Sequence, residues 1–252
     1  MIDLVAGEAT ARIDPRAGGR VASLVVAGRE RLVTGTIGDD PMLWGSYPMA
    51  PWAGRLRRGR LIYGGRAYHF PLDAPPHAIH GTVYRRAWVV DDDGSLVTSL
   101  GPTWPFPGHA RQRVDLQPGR LQCTLEVHAD EVPMPAAAGY HPWFAGPVEL
   151  AVAPRHQLCR DADGLPDGTV VPPEERPWDD CFTGLSDPPR VIYPDGLAIT
   201  VGSDVEHWVI FTPEHAVCVE PQTGPPNELN TAPRLVEPDA PLVVTMVLSW
   251  SA

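Results

Sequence analysis

Lysine is missing from the sequence: all 20 basic residues are arginine. Without an ε-amine the chain has no Schiff-base aldolase nucleophile, no pyridoxal-phosphate anchor and no phosphate-cradling P-loop lysine. Cysteine is sparse, and Cys123, Cys159, Cys181 and Cys218 form no CxxC pair and no zinc-ribbon spacing. Reduced thiols in a cytoplasmic protein are the expectation. No apolar run approaches the ~20 residues of a membrane span. The stretch from Met1 to Pro15 has acidic residues near its start and no basic-then-apolar leader pattern, which again predicts a soluble, cytoplasmic protein. Long segments free of helix breakers are also lacking, since with 30 Pro and 24 Gly the longest runs only from Arg120 to Val132. Helices average roughly 11–12 residues and tolerate proline only near their ends, so a bundle or coiled coil is excluded. A net charge of -11 leaves no basic surplus to hold nucleic acid or an anionic membrane surface.

What the sequence does contain is short strand patterns between turns. From Arg120 onward, Leu121, Cys123, Leu125, Val127 and Ala129 alternate with Gln122, Thr124, Glu126, His128 and Asp130, the period of a half-buried strand. Shorter segments of the same kind are Arg20 to Val26, Arg60 to Tyr63, Ala87 to Val90, Val148 to Val152, Ala198 to Val201, His207 to Phe211, Val217 to Glu220 and Leu242 to Trp250. Turn signals such as Gly18-Gly19, Gly64-Gly65, Pro118-Gly119 and Pro194-Asp195-Gly196 separate them. Many short strands predict an all-β antiparallel sandwich or barrel. The proline-rich stretches, Leu165 to Pro177 among them, read as decorated loops, and residues 1–252 read as one domain.

Four clusters join titratable groups to aromatics and turn formers. The first, Pro48-Met49-Ala50-Pro51-Trp52-Ala53-Gly54-Arg55-Leu56-Arg57-Arg58-Gly59-Arg60, carries guanidinium forks that either grip a ligand's oxygens or form a solvated basic loop. In the second, Pro75-Pro76-His77-Ala78-Ile79-His80-Gly81, a glycine after His80 permits close backbone approach to a ligand. The third, Gly139-Tyr140-His141-Pro142-Trp143-Phe144, sets His141 and Trp143 on one face if the segment is extended, a proton-transfer group beside an aromatic plane. The fourth has two pieces, Trp178-Asp179-Asp180-Cys181-Phe182 and Cys218-Val219-Glu220-Pro221-Gln222. Glu220 ends an apolar strand, where burial would raise its pKa and make it a better base.

In this order the clusters resemble the aldose 1-epimerase (galactose mutarotase) family, from Gly18-Gly19-Arg20 to the last strand. The resemblance implies a large antiparallel β-sandwich, the galactose mutarotase-like supersandwich, working on a small-molecule sugar as a monomer or homodimer without cofactor or metal. It implies catalytic roles for Glu220 as base, His141 as acid and His80 as a stabilising partner. Arg55, Asp179, Gln222 and Trp143 would bind substrate; Gly54 stands where the family has Asn, and Asp180, beside Asp179, would point the other way in a strand. The implied reaction interconverts the α and β anomers of a free hexose. Three alternatives are an epimerase of a phosphorylated hexose, using Arg57, Arg58, Arg85 and Arg86, a carbohydrate-binding module without catalysis, and a metal hydrolase built on His77, His80, His141 and a carboxylate.

Overall fold

The computed structural model describes residues 1–251. Its named strands form only antiparallel ladders, gathered mainly into two large sheets. An eleven-stranded sheet runs, neighbour to neighbour, through Ile2–Ala6, Ala9–Asp14, Arg20–Val26, Ser46–Met49, Gly139–Ala145, Ala216–Gln222, His207–Phe211, Asp179–Thr183, His156–Arg160 and Pro166–Val171, with Arg29–Glu30 appended to Arg20–Val26. An eight-stranded sheet runs through Val89–Val90, Leu96–Ser99, Gly108–Gln117, Arg120–Ala129, Leu242–Ser249, Ala198–Ser203, Arg190–Ile192 and Glu149–Ala151. Among the described residues no helix is long and apolar enough to cross a membrane.

The alternation in Arg120–Ala129 has the predicted effect: its odd-numbered apolar residues from Leu121 to Ala129 are buried, while Gln122, Thr124, Glu126 and His128 are only half-buried. One hydrophobic cluster joins the sheets, holding Leu24, Phe144 and Val219 from the first and Leu125, Val201 and Met246 from the second. Each such aliphatic side chain contributes about 1.5–3 kcal/mol by leaving water. The sandwich expected from the strand count is therefore present, with its core between the two sheets.

Some boundaries differ from the sequence expectation. The strand expected over Ala87 to Val90 shortens to Val89–Val90, and the one over Val148 to Val152 to Glu149–Ala151. The supposed loop Leu165 to Pro177 contains the strand Pro166–Val171, paired with His156–Arg160. This strand lies at the sheet edge, where Pro166 loses no ladder hydrogen bond and β-branched Thr169, Val170 and Val171 favour extension.

Candidate active site

The strands at the middle of the eleven-stranded sheet are buried on both faces. In Ala216–Gln222 all seven residues are buried. Val217 and Val219 join the intersheet core, so Cys218, Glu220 and Gln222 project from the opposite face. In Gly139–Ala145, Tyr140 and Phe144 face the core, while His141 and Trp143 share the other face as the extended reading requires. Register completes the arrangement, for Tyr47 lies opposite His141 and Trp143 opposite Cys218. The Tyr47 and His141 rings stack at 4.8 Å between centroids and 22° between planes, and His141 stacks on Trp143 at 5.3 Å and 17°.

Two loops cover this face. Gly54, at φ +64°, turns the chain into Arg55–Leu56, which pairs with Ala78–Ile79 and so sets His80 beside the strands. The His80 backbone N–H donates to the Gly54 carbonyl at 3.0 Å. Gly81 has φ +77°, and a Cβ there would lie 2.0 Å from the Ala50 carbonyl oxygen. The close approach that this glycine permits is thus to the chain's own backbone rather than to a ligand. At Gly54 a Cβ would meet Pro226 at 3.0 Å, which accounts for a residue without a side chain at that corner.

Tyr47, Arg55, His80, His141, Trp143, Asp179 and Glu220 line one cavity of 170 Å³, with Met42, Leu43, Ile79, Phe211 and Pro226 as apolar wall. That is below the roughly 300–1,000 Å³ of pockets for drug-sized ligands and suits a molecule of monosaccharide size. At the inner end, His141 Nε2 stands 3.2 Å from Glu220 Oε1, and both side chains are buried. The His80 ring meets that of His141 edge-on at 5.0 Å. Toward the mouth, Arg55 donates to Asp179 at 2.8 Å, and both are about one-third exposed.

Burial dominates the electrostatics. It pushes the Glu220 carboxyl well above its usual range, and the Asp179 charge adds to this, while the Gln222 hydrogen bond and Arg55 oppose it. Burial likewise pushes His141 down to about 3, with the charge of Arg20 acting in the same direction. His80 is lowered well below the ordinary histidine range by burial, then by His141, Arg55 and Arg85. Burial thus favours the uncharged form of each group, with a proton on Glu220 and none on His141. Moving that proton 3.2 Å to Nε2 gives carboxylate and imidazolium without changing the total charge. One ligand atom from each of His80, His141 and Glu220 lies within 4.8 Å of the others, close enough to surround a small cation.

Several expected residues stand elsewhere. Gln222 is fully buried, and its amide donates to Glu220 Oε2 at 3.1 Å, so it supports the carboxylate from behind and does not line the cavity. Asp180 points away from the cavity and takes Arg160 as ion-pair partner at 2.9 Å. Arg57 is occupied by Asp161 and Asp163, Arg58 by Asp163, Arg85 by Tyr84 and Asp73, and Arg86 by Ser99. His77 accepts from the Arg58 backbone at Nδ1 and meets the Asp163 carbonyl at Nε2, which leaves no ring nitrogen for a metal. Sequence reasoning missed Tyr47, because its role comes from register opposite His141.

Comparison with known proteins bears on this geometry. No curated protein sequence matches the chain. Similar solved structures include an Escherichia coli K12 protein assigned as an aldose 1-epimerase, with TM-score 0.85 and 18% identity over 99% of this chain and 98% of that one. A Caenorhabditis elegans GalM/aldose epimerase homologue gives TM-score 0.82 and 15% identity over 99% and 98%. The galactose 1-epimerase of Lactobacillus acidophilus gives 0.79 and 16% over 98% and 92%. At such identities these likenesses establish the galactose mutarotase-like fold. The family model for aldose 1-epimerase matches residues 4–239, nearly the whole chain, and the protein thus belongs to the aldose 1-epimerase family.

Proposed function

We propose that the protein interconverts the α and β anomers of a free hexose by opening and reclosing the sugar ring. The observation that carries this reading is the buried His141–Glu220 pair, 3.2 Å apart at the inner end of a monosaccharide-sized cavity. Ring opening needs one proton taken from O1 and one given to O5. Glu220 as carboxylate takes the first and His141 as imidazolium gives the second, while the C1–O5 bond breaks and C1=O1 forms. The pair is then carboxylic acid and neutral imidazole, the state that burial favours. After rotation about C1–C2, the same protons return and close the opposite face. Proton transfer of this kind contributes typically about 10²–10⁴-fold per group, and the proton inventory closes without a further reactant.

The remaining lining residues have parts in the same scheme. Trp143 offers an aromatic plane to the apolar face of a pyranose. Arg55 and Asp179 are placed to exchange part of their mutual hydrogen bond for sugar hydroxyls. His80, held neutral, hydrogen-bonds near the ring oxygen. Support for a free rather than a phosphorylated sugar comes from Arg57, Arg58, Arg85 and Arg86, all of which already have partners outside the cavity.

Polarimetry or anomer-resolved NMR on freshly dissolved α-D-glucose and α-D-galactose tests the proposal. Wild type should accelerate equilibration, and Glu220→Gln should lose at least about 10²-fold in kcat while remaining folded. Binding of sugar with no acceleration by wild type would mean a carbohydrate-binding protein. A steep preference for glucose 6-phosphate would shift the substrate to the phosphorylated class, with Arg55 as the arginine lining the cavity.

A further inference from the structure

Arg20 has no exposed surface, and among the described residues no carboxylate forms an ion pair with it; Asp14 and Asp40 act on its charge only from further off. Its guanidinium donates instead to three backbone carbonyls, from Nε to Ala17 at 2.6 Å and from its terminal nitrogens to Trp44 at 2.8 Å and Tyr84 at 3.2 Å. It also lies over the Trp44 ring at 4.1 Å and the Tyr47 ring at 5.2 Å. Burying a cation whose counter-charges stand outside ion-pair distance is expensive, and a neutral side chain of similar length would fill the space at lower cost. Even with burial lowering it to about 10, Arg20 keeps its charge at neutral pH.

The position of that charge links it to the cavity. The strand order is Arg20–Val26, Ser46–Met49, Gly139–Ala145, so Tyr47 sits between the strand of Arg20 and the strand of His141. The Tyr47 ring stacks on His141 and is backed by Tyr84 at 5.3 Å. The charged or titratable groups around His141 are Glu220 and Cys218 from Ala216–Gln222, His80 from the covering loop, Tyr47 from its other neighbour, and Arg20 behind Tyr47. Arg55 and Asp179 act on its partner Glu220.

We infer that Arg20 is a positioning residue for His141: packed through the Tyr47 ring, its guanidinium fixes the imidazole plane and opposes a lone positive charge there, so that His141 takes a proton only together with an ionised Glu220. This makes the two groups one proton-holding unit. The inference rests on the anomerisation reading for its catalytic consequence, but its electrostatic content is measurable without turnover.

The test uses Arg20→Met, which removes the charge at similar length, and Arg20→Lys, which keeps it. In pH profiles of mutarotation kcat/KM, Arg20→Met should move the acid limb upward by about one pH unit, the effect of losing one nearby like charge. It should lower kcat more than it changes KM, and Arg20→Lys should return the limb toward its wild-type position. Equal losses in both variants with an unmoved limb would reduce Arg20 to a structural role and overturn the inference. NMR titration of the His141 imidazole in wild type, Arg20→Gln and Arg20→Lys reads the same charge without turnover and serves if Arg20→Met fails to fold. His141 should titrate higher in Arg20→Gln than in wild type and return toward the wild-type value in Arg20→Lys; an unmoved titration in Arg20→Gln would overturn the inference. If wild type shows no mutarotation, the functional reading fails while the titration still judges Arg20.

Discussion

Glu220 and His141 meet where water is excluded, so their charges are set by burial, and this couples the cavity to stability. The folded protein holds the Glu220 proton more tightly than the unfolded chain does. Its contribution is complete below the unfolded value, about 4.3 for a free Glu, and is lost as pH rises through the higher folded value. Glu220→Gln removes this dependence, so its melting temperature relative to wild type should climb with pH. Thermal melts at about pH 5 and about pH 9 measure the difference, and a constant offset would contradict the assigned direction. His141 works in the opposite sense. Its folded value is depressed, so stability is intact above the usual ~6.5 and falls as pH drops toward about 3. The pair leaves wild type most stable between these limits.

The elements around the cavity are constrained most tightly at their turns. Gly81→Ala would place a methyl 2.0 Å from the Ala50 carbonyl oxygen in a left-handed backbone region. A cost on the order of 3 kcal/mol or more is expected, visible as a lower melting temperature together with lost activity, because His80 hangs on the same turn. Wild-type stability in that variant would mean the turn can shift freely. How legible these elements were in the sequence depended on their exposure. Arg120–Ala129 announced itself because one face is buried and the other is not. Ser46–Met49, Gly139–Ala145 and Ala216–Gln222 are buried on both faces and show no such polar alternation, though they carry the candidate chemistry. Their candidate side chains stand out through residue type instead, since His, Glu and Trp in ordered clusters are conspicuous where pattern fails. Gln222 was misplaced because adjacency in a strand specifies the face but not whether a neighbour stands in front. Tyr47 and Arg20 were invisible because only strand pairing brings them to His141.

At the scale of the molecule, both sheets share one core, and the site lies on the far side of one of them. Leu125→Ala, in the eight-stranded sheet, should cost about 2–5 kcal/mol through the cavity it leaves. It should still unfold in a single transition seen alike by backbone and aromatic circular dichroism. Separate transitions would show that the sheets fold independently. The back-to-back arrangement of site and core also restricts how this protein can change. In Gly139–Ala145 and Ala216–Gln222, one set of side chains packs the core and the alternate set supplies His141, Trp143 and Glu220. Inserting or deleting a single residue in either strand would turn cavity-facing side chains beyond it into the core and core side chains into the cavity. Changes of length are therefore tolerated far better in the covering loops than in the strands beneath, whose residue count fixes which side chains face the cavity.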